Sequence, residues 1–164
     1  MLAKRNTVFS KRYTIFNKHV GGRNRLPQGF HALNRLWATK DRMSEQAQML
    51  LTQWASESEV EIVLEGGTDP ELEALYLALS NIPDIPSAKF NEPDMRDSCM
   101  VVTFVATDRI VAGGSELRGR RIPPYEAEAF LKENTVSMPD SSRVQLTDNE
   151  IFVVVNSAFL RLSD

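Results

Sequence analysis

From Tyr13 to Val20 the residues Tyr13, Thr14, Ile15, Phe16 and Val20 favour an extended chain, and the Gly21-Gly22 pair closes it. The period then changes. Leu26, Phe30, Leu33 and Trp37 recur at spacings of four, three and four, which lays one apolar stripe along a helix. Pro27 can open that helix, because a proline in the first turn gives up no hydrogen bond. Met43, Ala47, Leu50, Leu51 and Trp54 mark a second helix, ended by the polar segment Ser56 to Glu59. Val60, Ile62, Val63 and Leu64 read as a second strand closed by Gly66-Gly67. A third helix follows, capped either by Thr68 with Glu71 or by Asp69 with Pro70 behind it. Leu72, Leu75, Leu79 and Ile82 form its buried face, and Pro83 and Pro86 stop it. Ser87 to Asn91 is a short strand. Met100 to Ala106, almost wholly apolar, is expected to be an interior strand covered on both faces.

This order predicts an α/β domain over residues 11–108, with a mixed four-stranded sheet and helices packed on it. Residues 109–164 read as a C-terminal extension. Gly113-Gly114 and Gly119 bracket an expected basic loop with Arg118, Arg120 and Arg121, and Pro123-Pro124 opens a short helix running to about Lys132. Val144 to Leu146 and Ile151 to Val155 are expected to pair as a hairpin around Thr147-Asp148-Asn149.

The net charge of −3 conceals a division along the chain. Residues 1–43 hold ten Lys or Arg against the single acid Asp41, a net of +9, and the remainder carries −12. Residues 1–10 read as a basic arm. A cationic front on an acidic protein suits a polyanion such as RNA, because Lys and Arg contacts to phosphate release condensed counterions. A solvated arm accounts for Lys4 and Arg5 equally well. No apolar run approaches the length of about 20 residues that spans a bilayer, and no secretory leader is evident, so a cytoplasmic location is expected. Cys99 is the sole cysteine and lies in an apolar run, where a thiol behaves as a small hydrophobe.

Chemistry-bearing residues fall in two places. Gln28, His31 and Arg35 share a helix face away from the apolar stripe, and Arg23, Asn24 and Arg25 crowd the turn before it. There the positive helix end and open N–H groups favour a phosphate or an oxyanion. His31 either acts in catalysis or packs between helix and sheet. Glu92-Pro93-Asp94 either positions water or is an ordinary solvated turn. Two histidines and one cysteine offer no zinc set, and the glycine pairs lack the spacing of a nucleotide-binding loop, so no cofactor is expected.

Gln28-Gly29-Phe30-His31-Ala32 resembles the Gln-x-x-His-Ala signature of the archaeal/eukaryotic-type peptidyl-tRNA hydrolases. Trp54, the Val60 to Leu64 strand, Asp69-Pro70-Glu71-Leu72 and Phe90-x-Glu92-Pro93-Asp94 follow in the family's order, so the resemblance spans about Lys11 to Thr107. It implies metal-free cleavage of the ester joining a peptide to tRNA, commonly by a homodimer. Asp94, His31 and Gln28 would be catalytic, and Arg23, Asn24, Arg25, Arg35 and Glu92 would bind substrate. Two departures stand out. The family's Gly-Lys pair reads Arg23-Asn24 here, and arginine, always protonated, cannot transfer a proton as lysine can. The family's Asp-x-x-x-Thr loop reads Glu92-Pro93-Asp94-Met95, with Ser98 the nearest hydroxyl. An alternative is a non-catalytic module on the same scaffold that binds RNA or, through residues 109–164, a protein partner.

Overall fold

A computed structural model describes residues 10–162; the expected basic arm, apart from Ser10, lies outside the described residues. Strand β1, Lys11–Phe16, ends earlier than the apolar pattern predicts. Asn17 breaks it: its side chain accepts from the His19 N–H at 3.0 Å and donates to the Cys99 carbonyl at 3.0 Å, holding the chain in a turn.

Helix α1, Gly22–Ala38, starts before Pro27, which sits inside it and removes one bond near the exposed opening. Its buried face also differs from expectation. Leu26 and Phe30 are 69% and 55% exposed, while Ala32 and Leu36 are fully buried. Gly29 completes this inner face, where an added Cβ would stand 3.3 Å from Phe16 Cζ. Leu33 of the expected stripe does pack against the core, while the small Gly29 and Ala32 let the helix lie close on the sheet and leave Leu26 and Phe30 facing out.

Helix α2, Glu45–Gln53, is capped by Ser44, whose hydroxyl accepts from the Ala47 N–H at 3.1 Å. It closes in a wide turn at Trp54–Ser58, ending at Glu59 in the left-handed region. Strand β2, Val60–Glu65, runs parallel to β1, with Arg12 opposite Glu61. Helix α3, Asp69–Ser80, takes the Thr68 and Glu71 alternative: the Thr68 N–H donates to Glu71 Oε2 at 2.6 Å. Asp69 is engaged elsewhere, accepting from the Cys99 N–H at 2.6 Å. Strands β3, Ser87–Glu92, and β4, Ser98–Val105, form an antiparallel hairpin, and β4 is also antiparallel to β1.

Two expectations for the C-terminal residues are corrected. The supposed basic loop is helix α4, Asp108–Gly119, and Gly113 is a point of close contact: a Cβ there would come within 2.9 Å of Leu146 and 3.0 Å of Val154. Arg118 lies in the last turn and Arg120 is the C-cap, where cations complement the helix dipole. Helix α5, Pro124–Glu133, matches expectation. The supposed strand Ile151 to Val155 belongs to helix α6, Asp148–Ala158, opened by a Thr147 and Glu150 capping box. An apolar run of that length does not distinguish a buried helix from a strand. The observed hairpin is instead β5, Val136–Ser137, against β6, Arg143–Val144.

The main sheet has the mixed order β3-β4-β1-β2, extended at its edge by the two-residue β7, Arg161–Leu162, antiparallel to β2. Helices α1 and α2 cover one face, burying Phe16, Ala32, Leu36, Leu51, Phe90 and Val105. On the other face Ile15, Leu64 and Phe104 share one apolar cluster with Leu75 of α3, Ile110 of α4 and Ile151 of α6. Residues after Asp108 thus pack on the same core. Among the described residues no helix is long and apolar enough to cross a membrane.

Candidate active site

Helix α1 runs beside β3, and the polar row Gln28, His31 and Arg35 borders that strand. Gln28 Nε2 donates to Glu92 Oε2 at 2.6 Å. His31 stacks on the Phe90 ring with centroids 4.6 Å apart, and the Arg35 guanidinium stands 4.8 Å from the same ring while donating to the Lys89 carbonyl at 3.4 Å. His31 itself remains exposed, its ring held flat by stacking.

Glu92 is the last residue of β3, and Pro93–Met95 forms a short 3-10 turn that presents an exposed Asp94. Proline fixes the backbone at the turn's start, and Arg96 and Asp97 adopt left-handed conformations at its end. Asn91 Nδ2 donates to the Asp97 carbonyl at 2.8 Å and to Glu73 Oε1 at 3.2 Å, tying the turn to α3. Ser98 Oγ donates to the Met95 carbonyl at 2.7 Å, so this hydroxyl closes the turn.

The opening of α1 has no side-chain cap and no acid in its first turn, which leaves its positive end without a neutralising carboxylate there. Arg23 and Asn24 are exposed beside it. Arg25 points away from this region, its Nη2 paired with Glu65 of β2 at 2.7 Å. Among the expected residues, Gln28, His31, Arg35 and Glu92 therefore line one seam, with Asp94 on the adjoining turn. Arg25 is directed to the opposite flank of the helix.

That flank holds residues the sequence reading passed over. A cavity of about 400 Å³ lies between α1 and the β1-β2 pair, bordered by Leu26, Phe30, Glu61 and Arg12. Arg12 is 5% exposed, pairs with Glu61 at 2.6 Å and lies 4.8 Å from the Trp54 ring. Thr14 Oγ1 adds a bond to Glu61 Oε1 at 2.8 Å. The signal was the period-two placement of Arg12, Thr14 and Phe16 on one face of a strand. Lys89 and Glu73, paired at 2.5 Å behind the Pro93–Met95 turn, were also missed.

Burial pushes the Cys99 thiol up to about 12, with the Glu73 charge adding to it, so this cysteine is no nucleophile near neutral pH. Among the described residues no group of three His, Cys, Asp or Glu side chains is arranged to hold a metal. No family model matches this chain, and no curated protein does either.

Proposed function

We propose that the chain is a divergent hydrolase of the archaeal/eukaryotic peptidyl-tRNA type, with the corresponding fold, cleaving the ester between tRNA and a peptide or blocked aminoacyl group. The observation that carries this reading is the 2.6 Å hydrogen bond from Gln28 to Glu92, which joins the two motifs on which the resemblance rests. The exposed Asp94 one turn further on and the uncapped α1 opening supply complementary chemistry.

In this mechanism water attacks the ester carbonyl while Asp94 accepts its proton. Negative charge developing on the carbonyl oxygen is met by the N–H groups of the α1 opening, and Arg23 neutralises a nearby tRNA phosphate. The tetrahedral intermediate collapses with departure of the ribose oxygen, which takes up the proton that Asp94 accepted. Gln28, oriented by Glu92, and His31, held flat on Phe90, position the acyl group. A homodimer and a cytoplasmic location belong to the same reading.

The substitution of Arg23-Asn24 for Gly-Lys favours a second reading, a module that binds RNA without cleaving it. Incubation with N-acetyl-aminoacyl-tRNA separates the two. The hydrolase releases free tRNA, and Asp94→Asn lowers the rate at least 100-fold, as expected for loss of a general base worth about 10²–10⁴. Tight, salt-sensitive tRNA binding without release supports the module. Release undiminished in Asp94→Asn removes the assigned base.

A further inference from the structure

We infer that the cavity between the sheet and the C-terminal helices is a binding site for a small apolar carboxylate. The cavity, about 340 Å³, lies on the sheet face remote from α1 and is walled by Ile62 and Leu64 of β2, Ile110 of α4, Val154 of α6 and Leu160. That volume falls at the lower end of the range of roughly 300–1,000 Å³ common for small-molecule sites, which fits a free acid better than a macromolecular segment. Such walls remove an aliphatic tail from water.

The polar groups select the charge of the occupant. Lys11, Arg118 and the Tyr13 phenol border the cavity, and Ser157 Oγ already donates to the Val153 carbonyl at 2.7 Å. Among the described residues no carboxylate lines it, although the chain after Met43 carries a net charge of −12. Two cations without a lining acid form a field for one anionic head group, and a guanidinium matches a carboxylate through two parallel hydrogen bonds.

A second feature is shaped for the same end. Gly114 lies inside α4, where glycine is a poor helix former, and a Cβ there would meet Arg118 Nη1 at 3.3 Å and Nη2 at 3.7 Å. The missing side chain lets Arg118 fold back one turn along the helix and hold its charge beside the cavity. Burial holds the Tyr13 phenol above its ordinary value, and the Arg118 charge offsets part of that rise. Helices α4 and α6 with Leu160 thereby contribute a wall and a cation to a site that the strands alone do not enclose. This inference is independent of the hydrolase reading.

The test is calorimetric titration of the full chain with decanoate, alongside decanol and acetate. Decanoate should bind saturably at one site per chain, at least tenfold more tightly than decanol, and acetate should give no measurable binding. Arg118→Gln, at an exposed position, should weaken decanoate at least tenfold and leave decanol and the thermal melt unchanged. Absence of saturable decanoate binding, equal affinity for decanoate and decanol, or undiminished binding in a folded Arg118→Gln variant would each overturn the proposal.

Discussion

Replacing Arg109 with Ala tests how firmly residues after Asp108 are fastened to the rest of the molecule. Glu150, at the start of α6, has a side chain only 5% exposed, and Arg109 of α4 grips it twice, at 2.6 and 2.8 Å. Arg109 also donates to the Gln145 carbonyl at 2.7 Å. Removing the arginine leaves a buried carboxylate held by Thr147, whose N–H donates to it at 2.8 Å. Breaking a buried pair from one side costs roughly 3–5 kcal/mol, and the surviving cap puts this case near about 3. For a chain of this size that corresponds to a fall in Tm of about 6–12 °C. Burial pushes the Glu150 carboxyl up, but its bonds from Arg109 and Thr147 more than offset this, leaving it below its ordinary 4.5. A depressed carboxylate stabilises the fold above that ordinary value, and the stabilisation is lost as pH falls through the folded-state value. The gap between wild type and Arg109→Ala in urea melts should therefore be widest near neutrality and narrow below about pH 4.5. A loss of less than about 1 kcal/mol at pH 7, as for a surface pair, would refute the reasoning.

Gly113→Ala and Gly119→Ala should move stability in opposite directions. The first forces a Cβ within 2.9 Å of Leu146 and should cost about 1–2 kcal/mol, while the second meets nothing within 4 Å and should gain about 0.5 kcal/mol from helix propensity. Equilibrium urea unfolding checks both. Gly29→Val, crowding Phe16 beneath α1, should destabilise by about 1–3 kcal/mol in the same assay. Cys99, fully buried with a strongly raised thiol, should resist a thiol-specific chromophoric reagent in the native state and react at once in denaturant.

The main sheet was legible because its signals are local. Val60 to Leu64 and Met100 to Ala106 carry the β-branched and apolar density of covered strands, and Thr68 with Glu71 fixes a helix start within four residues. The direction in which α1 faces was not legible. Leu26 and Phe30 lie outward while Ala32, Leu33 and Leu36 turn inward and Gly29 lies against Phe16, a preference set by the partner surface. Gly113-Gly114 was misleading for a related reason: glycine punctuates loops, yet here it admits Leu146 and Val154 to the helix surface. Gln28 and Glu92 were both picked out as candidates, but their pairing across 64 positions is a tertiary fact that no spacing contains. Arg25 turns to the other flank of the helix because its partner, Glu65, belongs to the neighbouring strand, a pairing that no local spacing contains.

The most direct measurement is a double-mutant cycle on kcat/KM for N-acetyl-aminoacyl-tRNA, comparing wild type with Gln28→Ala, Asp94→Ala and the double variant. Residues serving one cleft act as a unit, so the double variant should be little worse than the more damaged single variant. Losses that multiply in full, or a wild-type protein that releases no tRNA, would contradict a shared catalytic cleft between α1 and the β3-β4 turn.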